Sequence, residues 1–218
     1  VTETKLPIYW FILVAIVTVN WSHTSAAQQQ PVTAAELKTL NLPVAVFIVD
    51  VGDKSDAMSS QRNIADMESH FQQVNRIWSQ AGIRINPVTV KRISVPREAL
   101  QGVIRERGRG GIANFFRSIR YGEIDIGNTS NDALIWTFYV RTLGGPNGLK
   151  PQGINSLFVV DEPHNEDYRV TSHEIGHILG LYHPQVGADK LLYPGSNGLV
   201  LNEVEKTVAR YFAERLLR

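Results

Sequence analysis

A chain of 218 residues, 43% apolar and 20% charged, has material for one well-packed globular domain and is short for two. Its net charge is only +1 and its basic residues form no tract, which leaves nucleic acid without electrostatic support as a partner. The absence of cysteine excludes disulfides, a lipidated cysteine and a thiolate latch on a metal within this chain.

The first segment is unlike the rest. Lys5 precedes an apolar run from Ile8 to Val19, and the small residues Ser25, Ala26 and Ala27 follow. A charged start, an apolar stretch and a small-residue site describe a secretory signal peptide over residues 1–27. A spanning helix needs about 20 apolar residues, and this run is shorter. The expectation is an exported protein, secreted or periplasmic. The alternative is an uncleaved N-terminal membrane anchor, the one route by which a membrane enters the reading. Residues 28–43 read as a flexible lead-in with a helical turn at Ala34–Leu40, and residues 44–218 as the single domain.

Val44–Val51 is a continuous β-branched run of a length that suits a buried strand, closed by Asp50, Gly52 and Asp53 as turn residues. Ile64, Met67, Phe71, Val74 and Trp78 recur by threes and fours, the apolar stripe of a helix over Asn63–Gln80 that Gly82 ends. On that helix His70 falls between stripe positions and reads as a surface residue. Ile83–Ile93 is a second strand, in which Pro87 demands an edge, a bulge or a change of face. Strand, helix, strand begins a right-handed parallel crossover. Two short helices follow, Pro96–Arg107 and Ile112–Tyr121, separated by Gly108, Gly110 and Gly111 as a helix break. Leu134–Leu143 and Ile154–Asp161 are strands. The Gly144–Gly148 loop between them reads as an ordinary turn or as a cleft rim beside a short edge strand. His164 lies in an acidic stretch, Asp161–Asp167, that reads as a solvated loop without a calcium-loop pattern. A helix spans Arg169–Leu181, and Asn202 with Glu205 caps a last one.

The Arg169–Leu181 helix carries the chemistry. In His173-Glu174-Ile175-Gly176-His177-Ile178-Leu179-Gly180-Leu181-Tyr182-His183, the first two histidines are four apart and so share one helix face. That spacing lets two imidazole nitrogens approach one ion at the ~2.0–2.1 Å of a zinc–nitrogen bond. Glu174, rotated by about 100°, stands near the ion without having to bind it and can accept a proton from a water. Gly180 permits the turn that brings His183 back as a third ligand. Three protein ligands leave a fourth position open, as in catalytic rather than structural zinc sites. Chance supplies this set of residues at these places on the order of 10⁻⁵ times per chain of this composition, so an accidental pair of helical histidines is the weaker account.

This motif is the metzincin signature. Over Ile154–Pro194 the chain resembles metzincin-clan zinc metallopeptidases, among them bacterial pappalysin- and reprolysin-like members. Over Val44–Leu143 only the order of strands and helices agrees. The resemblance implies an α/β (α+β) fold: a mostly parallel twisted sheet with one antiparallel edge strand, backing helices and an active-site helix. It implies one catalytic zinc on His173, His177 and His183, Glu174 as the catalytic base, and a protein or peptide substrate bound along the sheet edge. The clan's methionine beneath the zinc is matched here by Leu192, in Leu191-Leu192-Tyr193-Pro194-Gly195; leucine fills nearly the same volume. That departure motivates the alternative of an exported, catalytically silent binding or adhesion module on the same fold.

Overall fold

The chain's order of strands and helices is that of a mixed α/β protein, and its computed structural model describes residues 38–52, 56–106, 109–130 and 133–218. The signal-peptide reading, most of the lead-in, Asp53 and Gly108 lie outside those residues. Strands β1 (Leu40–Val51), β2 (Ile83–Val95), β3 (Ile135–Val140), β4 (Gly148–Leu149) and β5 (Ser156–Val160) form one sheet in the order β2-β1-β3-β5-β4. The first four neighbours in that order pair in parallel, and β4 is the antiparallel edge. β1 begins at Leu40, so the last residues of the expected lead-in, including the end of the expected helical turn, are strand. Asp50 likewise lies within β1 and pairs with Arg92 of β2.

Pro87 finds two of its three permitted solutions at once. β2 is the outer strand, and the register slips where Val44 faces Pro87 and Ala45 faces Thr89, so Val88 is the extra residue of a bulge.

β1 and β3 are buried on both faces, which is why they read as unbroken apolar runs. On one face, Val44, Val46 and Ile48 pack against helices α1 (Met67–Trp78), α4 (Asp167–Ile178) and α5 (Glu203–Leu216). On the other, Ala45, Phe47 and Val49 meet α2 (Arg97–Glu106) and α3 (Arg109–Arg120), with Phe47, Phe138 and Phe158 stacked along the sheet at 5.2 and 5.0 Å. Burial of each such side chain contributes about 1.5–3 kcal/mol. Gly110 and Gly111 do not break a helix; they sit in the first turn of α3. A Cβ on Gly111 would lie 2.0 Å from the Gly102 carbonyl oxygen, so the two helices cross backbone against backbone.

The stripe of α1 starts at Met67, because Ile64 lies in a preceding 3₁₀ turn and is 43% exposed. His70 is a correction: it is buried, not on the surface, with Nε2 3.0 Å from Thr171 Oγ1 of α4 and 2.8 Å from the Tyr139 hydroxyl. The acidic stretch is in part as expected, since Glu162, His164 and Glu166 are exposed, but Asp161 and Asp167 are held by protein partners. The Asp161 carboxylate is buried and accepts from Ser60 and the Gln61 N–H, while Asp167 accepts from Arg62 at 2.8 Å. Arg62 also donates to the Val160 and Asp161 carbonyls and lies over the Tyr139 ring. These contacts tie the start of α4 to the segment that leads into α1 and to the end of β5.

Candidate metal centre

α4 is buried around almost its whole circumference, which places its polar side chains inside the protein and requires partners for them. It stops in a Schellman turn. The Leu181 N–H donates to the Gly176 carbonyl at 2.9 Å and the Gly180 N–H to that of His177 at 3.3 Å, with Gly180 at φ 78° as its sequence position requires. The chain reverses there and returns His183 toward the helix.

The three imidazoles converge. His173 Nε2 is 3.0 Å from His183 Nε2 and 3.2 Å from His177 Nε2, and the His177–His183 separation is 3.1 Å. His173 Nδ1 donates to the Leu191 carbonyl at 2.9 Å, and His177 Nδ1 to the Leu181 carbonyl at 2.9 Å. A carbonyl only accepts, so these bonds put each ring proton on Nδ1 and leave Nε2 as a bare lone pair. Burial pushes His173 down to about 4 and lowers His177 as well, so both rings are neutral near pH 7. Lone pairs at this spacing repel unless a cation sits between them. The edges of a tetrahedron with metal–nitrogen bonds of about 2.0–2.1 Å measure about 3.3–3.4 Å, slightly longer than the triangle here. The three histidines lie close enough to hold a metal ion.

Glu174 stands beside this triangle, 7% exposed. Burial pushes its carboxyl up to about 7, against the pull of the Arg169 charge and of the Lys150 backbone N–H that it accepts from. β4 covers it so closely that a Cβ on Gly148 would lie 2.6 Å from Glu174 Oε1. On the opposite side of the helix, Leu192 is fully buried, and its Cδ2 would lie 3.0 Å from a Cβ on Gly176, between the two helical ligands. Leu192 therefore packs against the helix at Gly176, between His173 and His177 in sequence.

The sequence reading missed Arg169. Its buried guanidinium donates to the Leu191 carbonyl at 2.9 Å, to that of Tyr193 at 2.6 Å and to that of Gly198 at 3.4 Å. The Leu191 carbonyl is the one that orients His173, so Arg169 and His173 share an acceptor. The available signal was its place one turn before His173, on the same helix face. Asn165 adds a second tie to this segment, donating to the Ser196 carbonyl at 3.0 Å and accepting from Asn147 at 3.1 Å. His164 stays outside the triad, exposed, with Nδ1 3.1 Å from Asn147 Oδ1.

The triad opens into a cleft of about 390 Å³, to which the Gly144–Gly148 loop contributes Asn147 and Gly148 as rim. Hollows of about 660 and 700 Å³ lie elsewhere, lined in part by Trp136 and by Arg97, but neither contains a histidine.

No protein-family model and no curated protein matches the chain. A solved structure described as "Structure of a chaperone-substrate complex" superposes with a TM-score of 0.50 at 14% identity, covering 83% of this chain and 35% of that one. At that identity the likeness is one of fold alone.

Proposed function

We propose that the chain is a zinc-dependent endopeptidase of the metzincin type. The observation that supports this reading is the triangle of imidazole nitrogens with a buried carboxyl one residue along the same helix. Three imidazoles suit zinc. Bound there, zinc supplies Lewis acidity at the scissile carbonyl and for the attacking water.

The remaining work falls to the chain's own residues. Glu174 takes the proton of the attacking water and delivers it to the leaving amine, a role for which a carboxyl near neutrality in acidity is matched. The Lys150 N–H and the glycine floor at Gly148 hold that carboxylate in place. The Leu181 and Leu191 carbonyls fix the tautomers of His177 and His173, and Arg169 anchors the second of these carbonyls. β4 pairs with β5 on one side only among the described residues, so its outer edge is suited to receive an extended peptide by strand addition.

The apolar run Ile8–Val19 supports an exported protein, with an uncleaved membrane anchor as the alternative; no helix among the described residues is long and apolar enough to cross a membrane. The test is direct. Purified protein carries about one zinc and cleaves an unstructured polypeptide, and Glu174→Ala keeps the metal while losing cleavage. Undiminished cleavage by that variant removes Glu174 from the mechanism. A metal-loaded protein inactive on broad peptide libraries that captures one partner supports the silent binding module instead.

A further inference from the structure

Lys150 has no role in the chemistry above beyond its backbone N–H. It follows β4 directly and lines the cleft together with the three histidines. It is partly buried, and desolvation lowers its ammonium from the ordinary value. Its backbone N–H donates to Glu174, which fixes the residue at the carboxyl side of the same cleft.

The cleft is positive before any metal is added. Glu174 is its one carboxylate, against the two cations Lys150 and Arg169. Arg169 is committed to the carbonyls of Leu191 and Tyr193, whereas the ammonium of Lys150 has no such partner among the described residues. The chain as a whole carries only +1, so this polarity is local to the cleft. Partial burial of a cation without a counter-charge is unfavourable, and a substrate carboxylate relieves it.

Building on the peptidase reading, we propose that Lys150 sets substrate specificity by receiving a substrate carboxylate, supplied within about two residues of the cleaved bond. The carboxylate comes from an acidic side chain or from a free C-terminus.

Three matched peptides separate the sources: one with an internal Glu and an amidated end, one with Gln in that place, and one with Gln and a free C-terminal carboxylate. For the zinc-loaded full chain, kcat/KM favours one carboxylate form over the neutral peptide by roughly tenfold or more. The ratio falls toward one in Lys150→Gln, which keeps the backbone N–H, and inverts in Lys150→Glu. Binding of the same peptides to zinc-loaded Glu174→Ala, read by fluorescence anisotropy, shows the same order without turnover. Cleavage of all three peptides with equal efficiency overturns the inference and leaves the peptidase reading standing. Binding preference without any cleavage does the reverse, and a protein that neither cleaves nor binds them overturns both.

Discussion

Gly148→Ala separates the role proposed for the Glu174 carboxylate from the binding of a metal. A Cβ at this position lies 2.6 Å from Glu174 Oε1, 2.8 Å from Glu174 Cγ and 2.9 Å from Val170 Cγ1. Comfortable contact begins at about 3.5 Å, so the Glu174 side chain must retreat by roughly 0.7–1 Å, or β4 must lift by as much. Overpacking of that size costs about 1–3 kcal/mol of stability, and each kcal/mol lowers Tm by about 2–4 °C in a domain of this length. Misplacement of a catalytic group by about 1 Å costs on the order of 10²-fold in rate. None of the three nearest atoms belongs to a ligand histidine, so the metal site is spared. The assay is kcat on a quenched-fluorescent peptide, with zinc content and Tm measured on the same sample. The expected result is a loss of roughly 100-fold in kcat at one zinc per chain. Full kcat in a folded, zinc-loaded variant refutes the claim that β4 fixes Glu174, and loss of zinc assigns β4 to the metal site instead.

Other perturbations act through neighbouring contacts. Leu192→Met conserves volume against α4 and shifts stability by less than about 1.5 kcal/mol, while Leu192→Ala leaves a cavity against Gly176 and costs about 2–5 kcal/mol in denaturant unfolding. Arg169→Met removes a charged donor from the Leu191 and Tyr193 carbonyls, destabilises the protein by about 1.5–3 kcal/mol and weakens zinc retention, measured by competition with a chelator, because the carbonyl that orients His173 loses its anchor. Burial works to raise the Asp167 carboxyl, but His70 and Arg62 together overcome it and hold the group well below the usual carboxylate range. A depressed carboxyl contributes stability above its unfolded value, near 3.9, and loses it as pH falls through the folded value. Asp167→Asn therefore lowers the Tm of metal-free protein near pH 6, and the gap to the parent closes only in strong acid; a gap that widens on acidification contradicts this.

What was legible in the sequence was local. His173, Glu174, His177, Gly180 and His183 lie within one helix and the turn after it, and helical period and glycine stereochemistry alone specify their geometry. The strands were readable because burial on both faces writes an apolar run into β1 and β3. Arg169, Lys150 and Gly148 were not, since their roles depend on β4 and on the Leu191–Gly198 segment folding onto α4 from a distance in sequence. Gly110 and Gly111 misled for a related reason: glycine marks a turn and a close helix crossing with the same letter, and only the position of Gly102 tells them apart. His70 was readable and misread. Met67, His70, Phe71 and Val74 keep the spacing of one helix face, so the period itself placed the imidazole inside, where Tyr139 and Thr171 meet it. Its partner Thr171 lies 101 residues away, so what it does there was beyond the reach of the pattern.

The proposed function stands on three imidazoles sharing one ion. Titrating zinc into metal-stripped protein, with X-ray absorption at the zinc edge on the loaded sample, tests it most directly. The expected result is one equivalent bound, with three histidine nitrogens at about 2.0–2.1 Å and uptake sharply weakened by His183→Ala. No uptake, or uptake indifferent to the loss of His183, contradicts it.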